Sequence, residues 1–179
     1  MIGLHYTRVN WHANGGSFIY TPWLYDEEID DYYPDVDNFR NDRGNFDPNE
    51  KGISYQMTYL SPYVGLNTQY QKGNFTLSSG AKLGVTLQSD AKDFHHLRSM
   101  TFWDELEPSM YTAFNLGVEQ KINASSSWTA SIERQVYARA LGDETALGPE
   151  TGGALEFYED IAGGALTTTS LNIGYNLVF

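Results

Sequence analysis

The sequence contains no cysteine, and Lys and Arg together account for 11 of its 179 residues. Without cysteine the chain forms no disulfides and performs no thiol chemistry, which suits an envelope protein. Asp and Glu number 23, so the formal net charge is −12. Because cationic side chains supply the affinity for phosphate, this balance argues against nucleic acid as a partner and favours a cationic substrate.

Long apolar runs and helical periodicity are missing as well. No stretch is long enough for a transmembrane helix, and the mean hydropathy is −0.44. Aromatic residues make up 15% of the chain, with 13 Tyr, and Gly occurs 17 times. Tyr and Thr favour strands. The composition therefore indicates an all-β protein, and 179 residues suffice for one domain of ordinary size.

Strict two-residue alternation is the main signal that is present. It is cleanest over residues 75–88, where apolar side chains occupy one face and Thr, Ser, Gly, Lys and Gln the other. Similar patterns over 2–11, 52–71, 111–120, 128–139 and 164–179 predict about six strands. Long loops are expected over 21–50 and 140–162, and a phase slip at Ser61-Pro62 predicts a bulge.

The two faces of these strands differ in a characteristic way. One carries an apolar band and the other small polar residues, while short turns alternate with long loops. This combination is typical of an antiparallel transmembrane β-barrel with a polar interior. A soluble β-sandwich or lipocalin-like barrel is the alternative, since its strands also alternate. Small polar residues and Gly occupy the second face evenly, which favours the membrane barrel.

Asp93 and His95 lie two residues apart at the end of an alternating run. On a strand, residues i and i+2 point to the same face. A carboxylate beside an imidazole orients the ring, selects its tautomer and stabilises its protonated form. The spacing therefore predicts half of a hydrolytic site, and the alternative is a surface ion pair.

Several segments together resemble the omptin family of outer-membrane endopeptidases, ten-stranded barrels with an active site in the extracellular rim. The matching residues are 15–20 (GGSFIY), 39–42 (FRND), 62–66 (PYVGL), 93–98 (DFHHLR) with Thr101-Phe102, and a last strand that ends at Phe179. The match corresponds to the family's strands from about the fifth onward. Residues 1–179 are therefore expected to be a single outer-membrane barrel domain that is N-terminally incomplete.

The resemblance implies a role for four residues. Asp93 and His95 would be the pair that activates the attacking water. Asp90 is the nearest candidate for the acidic residue that lines the pocket for a basic side chain, although Ala91 occupies the other possible register. Arg8 matches a basic residue that binds lipopolysaccharide phosphate. The facing pair of aspartates has no counterpart in this chain, so half of the catalytic constellation is absent.

The resemblance also implies partners and location. Substrates would be basic peptides or proteins, attracted by ten acidic residues within 21–50. That loop lacks the regular spacing and central Gly of a calcium site, so no metal is expected. No other cofactor is implied, except that lipopolysaccharide would be required for activity. The location would be the bacterial outer membrane, with the active-site loops facing outside.

Six strands pose a physical difficulty for a membrane protein. They leave two unpaired sheet edges, which lipid cannot satisfy, and known single-chain bacterial barrels start at about eight strands. We therefore expect further residues or a second chain to complete the barrel, and the activity of these 179 residues alone is in question. The competing functions are a non-enzymatic adhesin or degenerate omptin-like barrel, and a soluble β-barrel that binds a ligand.

Overall fold

A computed structural model describes residues 1–28 and 30–178, without the side chains of Asp31 and Tyr32. Phe179, expected to end the last strand, lies outside the described residues. Twelve strands are present in this part of the chain: β1 (Ile2–Asn14), β2 (Ser17–Tyr20), β3 (Trp23–Asp26), β4 (Asp31–Pro34), β5 (Asp42–Asn45), β6 (Lys51–Lys72), β7 (Phe75–Thr86), β8 (Gln88–His95), β9 (Met100–Leu106), β10 (Ser109–Asn123), β11 (Ser126–Leu147) and β12 (Glu156–Leu177).

The main sheet is an antiparallel meander of six long strands. β6 pairs with β7 along one part of its length and with β8 along the rest, so β7 and β8 are consecutive halves of one strand. β11 pairs in the same way with β10 and β9. The order is β1, β6, β7–β8, β9–β10, β11 and β12. The expected number of about six strands is therefore confirmed.

The register slips by one residue where a bulge is expected. Leu60 faces Gln88 in the β6–β8 ladder, whereas Tyr63 faces Gly84 in the β6–β7 ladder. The extra residue belongs to the β7–β8 strand, while β6 pairs with β1 in one continuous register from Ile53 to Val64. The bulge thus lies opposite Pro62 rather than in β6 itself, because a proline offers no N–H to the neighbouring ladder.

Alternation separates the two faces of the sheet. Large apolar side chains are exposed on the outer face, among them Leu4, Leu66, Leu83, Phe114, Ile132, Leu171 and Ile173. The inner face is polar or aromatic: Tyr59, Tyr111 and Tyr137 pack together, and His5 Nε2 lies 3.1 Å from Gln135 Oε1. An apolar exterior around a polar interior is the arrangement of a membrane barrel.

The apolar outer band ends near Leu87 and Leu141, which are 60% and 48% exposed. Beyond it the outer face is mostly polar, with Gln56, Thr58, Asp90, Lys92 and Glu105. β8, β9 and the adjoining ends of β6 and β11 therefore project beyond the membrane-spanning part. Among the described residues, no helix is long and apolar enough to cross a membrane.

Two segments expected to be loops contain strands. Within 21–50, β3 and β4 form a small hairpin, and β5 pairs with β2, which lies just before this segment. Within 140–162, β11 continues to Leu147 and β12 begins at Glu156. The expected loop boundaries are wrong because these strands extend beyond the apolar band, where the sequence shows no regular apolar alternation.

Candidate active site

Asp93 and His95 lie at the end of β8, on the inner face and beyond the apolar band. Asp93 Oδ2 lies 3.0 Å from His95 Nε2, and the side chains are 24% and 25% exposed. β6 and β9 flank this position, with Tyr55 and Phe102 opposite Asp93. The His95 ring meets Phe102 edge-on, with 5.0 Å between ring centroids. Both side chains lie on the same face of β8, as their i, i+2 spacing predicts.

The hydrogen bond determines what the imidazole can do. When His95 Nε2–H donates to the carboxylate, the Nδ1 atom keeps its lone pair and can accept a proton. Asp93 Oδ1 is buried and makes no hydrogen bond within the part of the chain that the structure describes. The arrangement is an oriented base with a carboxylate that stabilises its protonated form.

Two further carboxylates lie on the same wall of the interior. Asp104 of β9 faces Glu144 of β11 in the ladder, and Asp104 faces Ala91 on its other side. Burial raises the pKa of Asp104 to about 6, with repulsion from Glu144 and Asp93 adding to the effect. Burial likewise raises the pKa of Glu144, with a contribution from Asp93. We call Asp104 and Glu144 the acidic pair.

The acidic pair is not evident from the sequence. β9 lies in a segment without apolar alternation, and Glu144 lies within the expected loop 140–162. Neither residue is close in sequence to Asp93 or His95. Only the pairing of β8, β9 and β11 brings the three carboxylates to one wall.

The structure does not place Asp90 in this site. Its side chain lies on the outer face, where Oδ2 accepts a hydrogen bond of 2.6 Å from Gln88 Nε2. The inward position is taken by Ala91, which is 4% exposed. The register with Ala91 inside is therefore correct, because Asp90 is an odd number of residues from Asp93 on the same strand.

The turn that follows His95 is anchored at both ends. His96 faces the other side of the strand from His95, and its Nε2 lies 2.7 Å from Ser54 Oγ. Arg98 Nε donates to Glu150 Oε1 at 2.7 Å and Arg98 Nη2 to Glu150 Oε2. Glu150 lies in a short 3-10 turn (Pro149–Thr151) after β11. The bidentate ion pair joins this turn to the residues between β8 and β9.

A cavity of about 600 Å³ opens beside His95 on the side of β1 and β6. Its walls come from the ends of β1 and β6, from the segment of chain that connects these two strands, and from the turn after β8. The lining residues are Ala13, Gly15, Tyr20, Phe46, Gly52, Ile53, His95, Leu97 and Arg98.

Arg8 lies apart from the interior site. It faces outward from β1 just beyond the apolar band, opposite Thr58, and its Nη2 donates to Gln56 Oε1. Its guanidinium is on an exposed residue at the edge of the apolar band. Among the described residues, no group of three or more His, Asp or Glu side chains could hold a metal ion.

Comparison with known proteins agrees with this architecture. The Omptin family model matches residues 1–179. The plasminogen activator of Yersinia pestis is 24% identical over 90% of this chain and 46% of its own length. The outer membrane protease OmpP of Escherichia coli is 26% identical over 94% of this chain and 52% of its own length.

The crystal structure of the outer membrane protease OmpT from Escherichia coli superposes with a TM-score of 0.81 at 19% identity. The match covers 99% of this chain and 56% of OmpT. The chain thus spans about half the length of the curated relatives it matches. The soluble alternative is therefore wrong. The chain belongs to the omptin family and has the antiparallel transmembrane β-barrel fold and outer-membrane location of that family.

Proposed function

We propose that this chain carries the histidine–aspartate half of an outer-membrane endopeptidase site that hydrolyses peptide bonds with an activated water. The observation that carries the proposal is the 3.0 Å contact between Asp93 and His95 on the inner face, beyond the apolar band. Relatives named as proteases support it: OmpP and IcsP are both outer membrane proteases.

The proposed reaction needs no covalent intermediate. His95 Nδ1 takes a proton from water as the water oxygen attacks the carbonyl carbon of the peptide. The resulting imidazolium is stabilised by Asp93 and then gives its proton to the leaving amine as the C–N bond breaks. In the family, a facing pair of aspartates also positions the water, and no residue of this chain matches that pair.

We propose that the acidic pair binds a basic side chain of the substrate. Asp104 and Glu144 lie next to Asp93 on the same wall, and Asp104 Oδ1 is buried without a hydrogen bond among the described residues. A guanidinium or ammonium group would satisfy this oxygen and relieve the repulsion between the carboxylates. The acidic residues of 21–50 would attract such substrates at longer range.

Arg8 would bind lipopolysaccharide at the edge of the membrane and so link this lipid to the active site. Its guanidinium lies on the outer face next to the apolar band, where a lipopolysaccharide phosphate could accept from the guanidinium N–H groups. We propose that lipopolysaccharide bound there supports activity.

The proposed function is tested with matched histidine variants of the native protein in outer-membrane vesicles. His95→Gln should lower the cleavage rate of a fluorogenic basic peptide by at least about 100-fold, since a general base contributes 10²–10⁴-fold. His96→Gln, one residue away on the opposite face, should retain most activity. Equal activity of the two variants would exclude the mechanism. Absence of cleavage by the native protein would favour the adhesin or degenerate-barrel alternative.

A further inference from the structure

The cavity beside His95 differs in chemistry from the rest of the site. Its volume of about 600 Å³ lies within the range of about 300–1,000 Å³ that is usual for ligand pockets. Most of its walls are apolar or aromatic, contributed by Tyr20, Phe46, Ile53 and Leu97. An apolar side chain placed there would be removed from water at no cost to buried polar groups.

The charges around the cavity exclude a cation as the preferred occupant. None of the lining residues in the described part of the chain is acidic. Arg98 is cationic, and both oxygens of its partner Glu150 already accept hydrogen bonds from Arg98. A basic side chain would therefore find no free carboxylate in this cavity, in contrast to the wall formed by the acidic pair.

The catalytic histidine lies between these two regions. The cavity extends from His95 toward β1 and β6, whereas Asp104 and Glu144 lie on β9 and β11, on the other side of β8. Consecutive side chains of an extended peptide point in opposite directions. A peptide whose bond is attacked beside His95 would thus direct one flanking side chain toward each region.

We propose that the cavity binds a large apolar side chain of the substrate, next to the bond that is cleaved and opposite the basic side chain. This inference rests on the proposed endopeptidase function and specifies its substrate class. The preferred sequence at the cleaved bond is one basic and one bulky apolar residue, rather than two basic residues.

The test compares peptides that differ at one position. The native protein in outer-membrane vesicles is given peptides with Arg-Phe, Phe-Arg, Arg-Arg and Arg-Ser at a single cleavable bond. One of the two Arg/Phe orders should be cleaved with a kcat/KM at least about tenfold above that of Arg-Ser and Arg-Arg, since a single methylene already gives 10–200-fold. Equal cleavage of all four peptides would overturn the inference and leave the endopeptidase function standing.

A pair of leucine variants assigns the preference to the cavity. Leu97 lines the cavity and is 43% exposed, while Leu24 of β3 is 41% exposed and does not line it. Leu97→Asp should reduce the preference for Phe at least about tenfold and improve cleavage of Arg-Arg, because it places a carboxylate among the apolar walls. Leu24→Asp should change neither the preference for Phe nor the cleavage of Arg-Arg. Tyr20→Ser, on another wall, should also reduce the preference for Phe but should not improve cleavage of Arg-Arg, because serine adds no carboxylate. An unchanged preference for Phe in both cavity variants would refute the assignment.

Binding separates the inference from the proposed reaction. In Asp93→Asn, which leaves every cavity residue intact, fluorescence anisotropy of labelled peptides should show tighter binding of the Arg/Phe peptide than of Arg-Ser. If this preference appears but the native protein cleaves nothing, the binding inference holds and the proposed function fails. If neither binding preference nor cleavage is found, both are wrong.

Discussion

Asp104 and Glu144 face each other across the β9–β11 ladder, with both side chains toward the interior. Each residue is also repelled by Asp93 of β8, the strand on the other side of β9 from β11. Three carboxylates on one wall, two of them with raised pKa values, produce a local excess of negative charge that a single basic side chain could compensate. The consequences of this arrangement can be measured.

The first prediction concerns pH and substrate affinity. The pKa of Asp104 is raised to about 6, so its negative charge is lost as the pH falls through 6. KM for a basic peptide should therefore rise below about pH 6. Asp104→Asn should raise KM about tenfold at pH 7.5 and remove this pH step, since a hydrogen bond to a charged group contributes about 1.5–3 kcal/mol.

The matched control is Glu105→Gln, because Glu105 is the next residue on β9 and is exposed on the outer face. Its KM profile should follow that of the native protein. A KM step that persists in Asp104→Asn would assign the titration to another group.

The same raised pKa predicts how stability depends on pH. Between the ordinary value of 3.8 and about 6, the folded protein binds more protons at Asp104 than the unfolded chain does. Stability should therefore decrease as the pH rises through this range, and the decrease should be smaller in Asp104→Asn. Thermal unfolding of the native protein and of Asp104→Asn in detergent at pH 4, 5, 6 and 7 measures this decrease. The same dependence of stability on pH in both proteins would contradict the prediction.

The third prediction concerns the hydrogen bond within the dyad. Asp93→Asn preserves the shape of the side chain but removes the charge that stabilises the His95 imidazolium. We expect kcat to fall about 10²–10⁴-fold with little change in KM, since the acidic pair that we propose binds the basic side chain is intact. Nitrogen NMR of labelled histidine should show a change in the His95 tautomer or protonation. A kcat within about threefold of the native value would contradict the assigned role.

The fourth prediction concerns the contact between β9 and β11. A Cβ added at Gly142 would lie 2.1 Å from the Glu105 carbonyl oxygen, which is backbone of β9. Gly142→Ala should therefore displace β9, lower stability by about 1–3 kcal/mol and weaken the binding of basic peptides by moving Asp104.

Gly163→Ala is the matched control, because its Cβ would meet its nearest neighbour, a Leu141 side-chain carbon, at an ordinary 3.4 Å. Thermal unfolding and KM for both variants test the prediction. If the two alanine variants have the same stability and the same KM, a shift of β9 affects neither quantity.

The fifth prediction concerns lipopolysaccharide. Arg8→Gln should reduce the stimulation of peptide cleavage by added lipopolysaccharide several-fold, because a phosphate would lose its bidentate partner. Arg43→Gln, on the exposed hairpin strand β5, should leave the stimulation unchanged. If both variants respond to lipopolysaccharide like the native protein, Arg8 has no part in the interaction.

The strength of the apolar alternation varies along the strands for a physical reason. Where strands cross the membrane, lipid contacts one face and polar or aromatic groups the other, so alternation is strong. β7 (Phe75–Thr86) and β10 (Ser109–Asn123) were accordingly recognisable. β9 (Met100–Leu106) projects beyond the apolar band, where the outer face is polar, and its sequence shows no such pattern.

The sequence alone determined the features that depend on local geometry. These are the presence of about six strands, the apolar exterior, and the shared face of Asp93 and His95, because residues i and i+2 on one strand point the same way. The tertiary structure decided which carboxylates join the dyad. Asp104 and Glu144 are forty residues apart in the chain and meet only through the pairing of β9 with β11, so no local pattern could reveal them. The same pairing, together with the register that turns Asp90 outward, decides where the interior carries its negative charge.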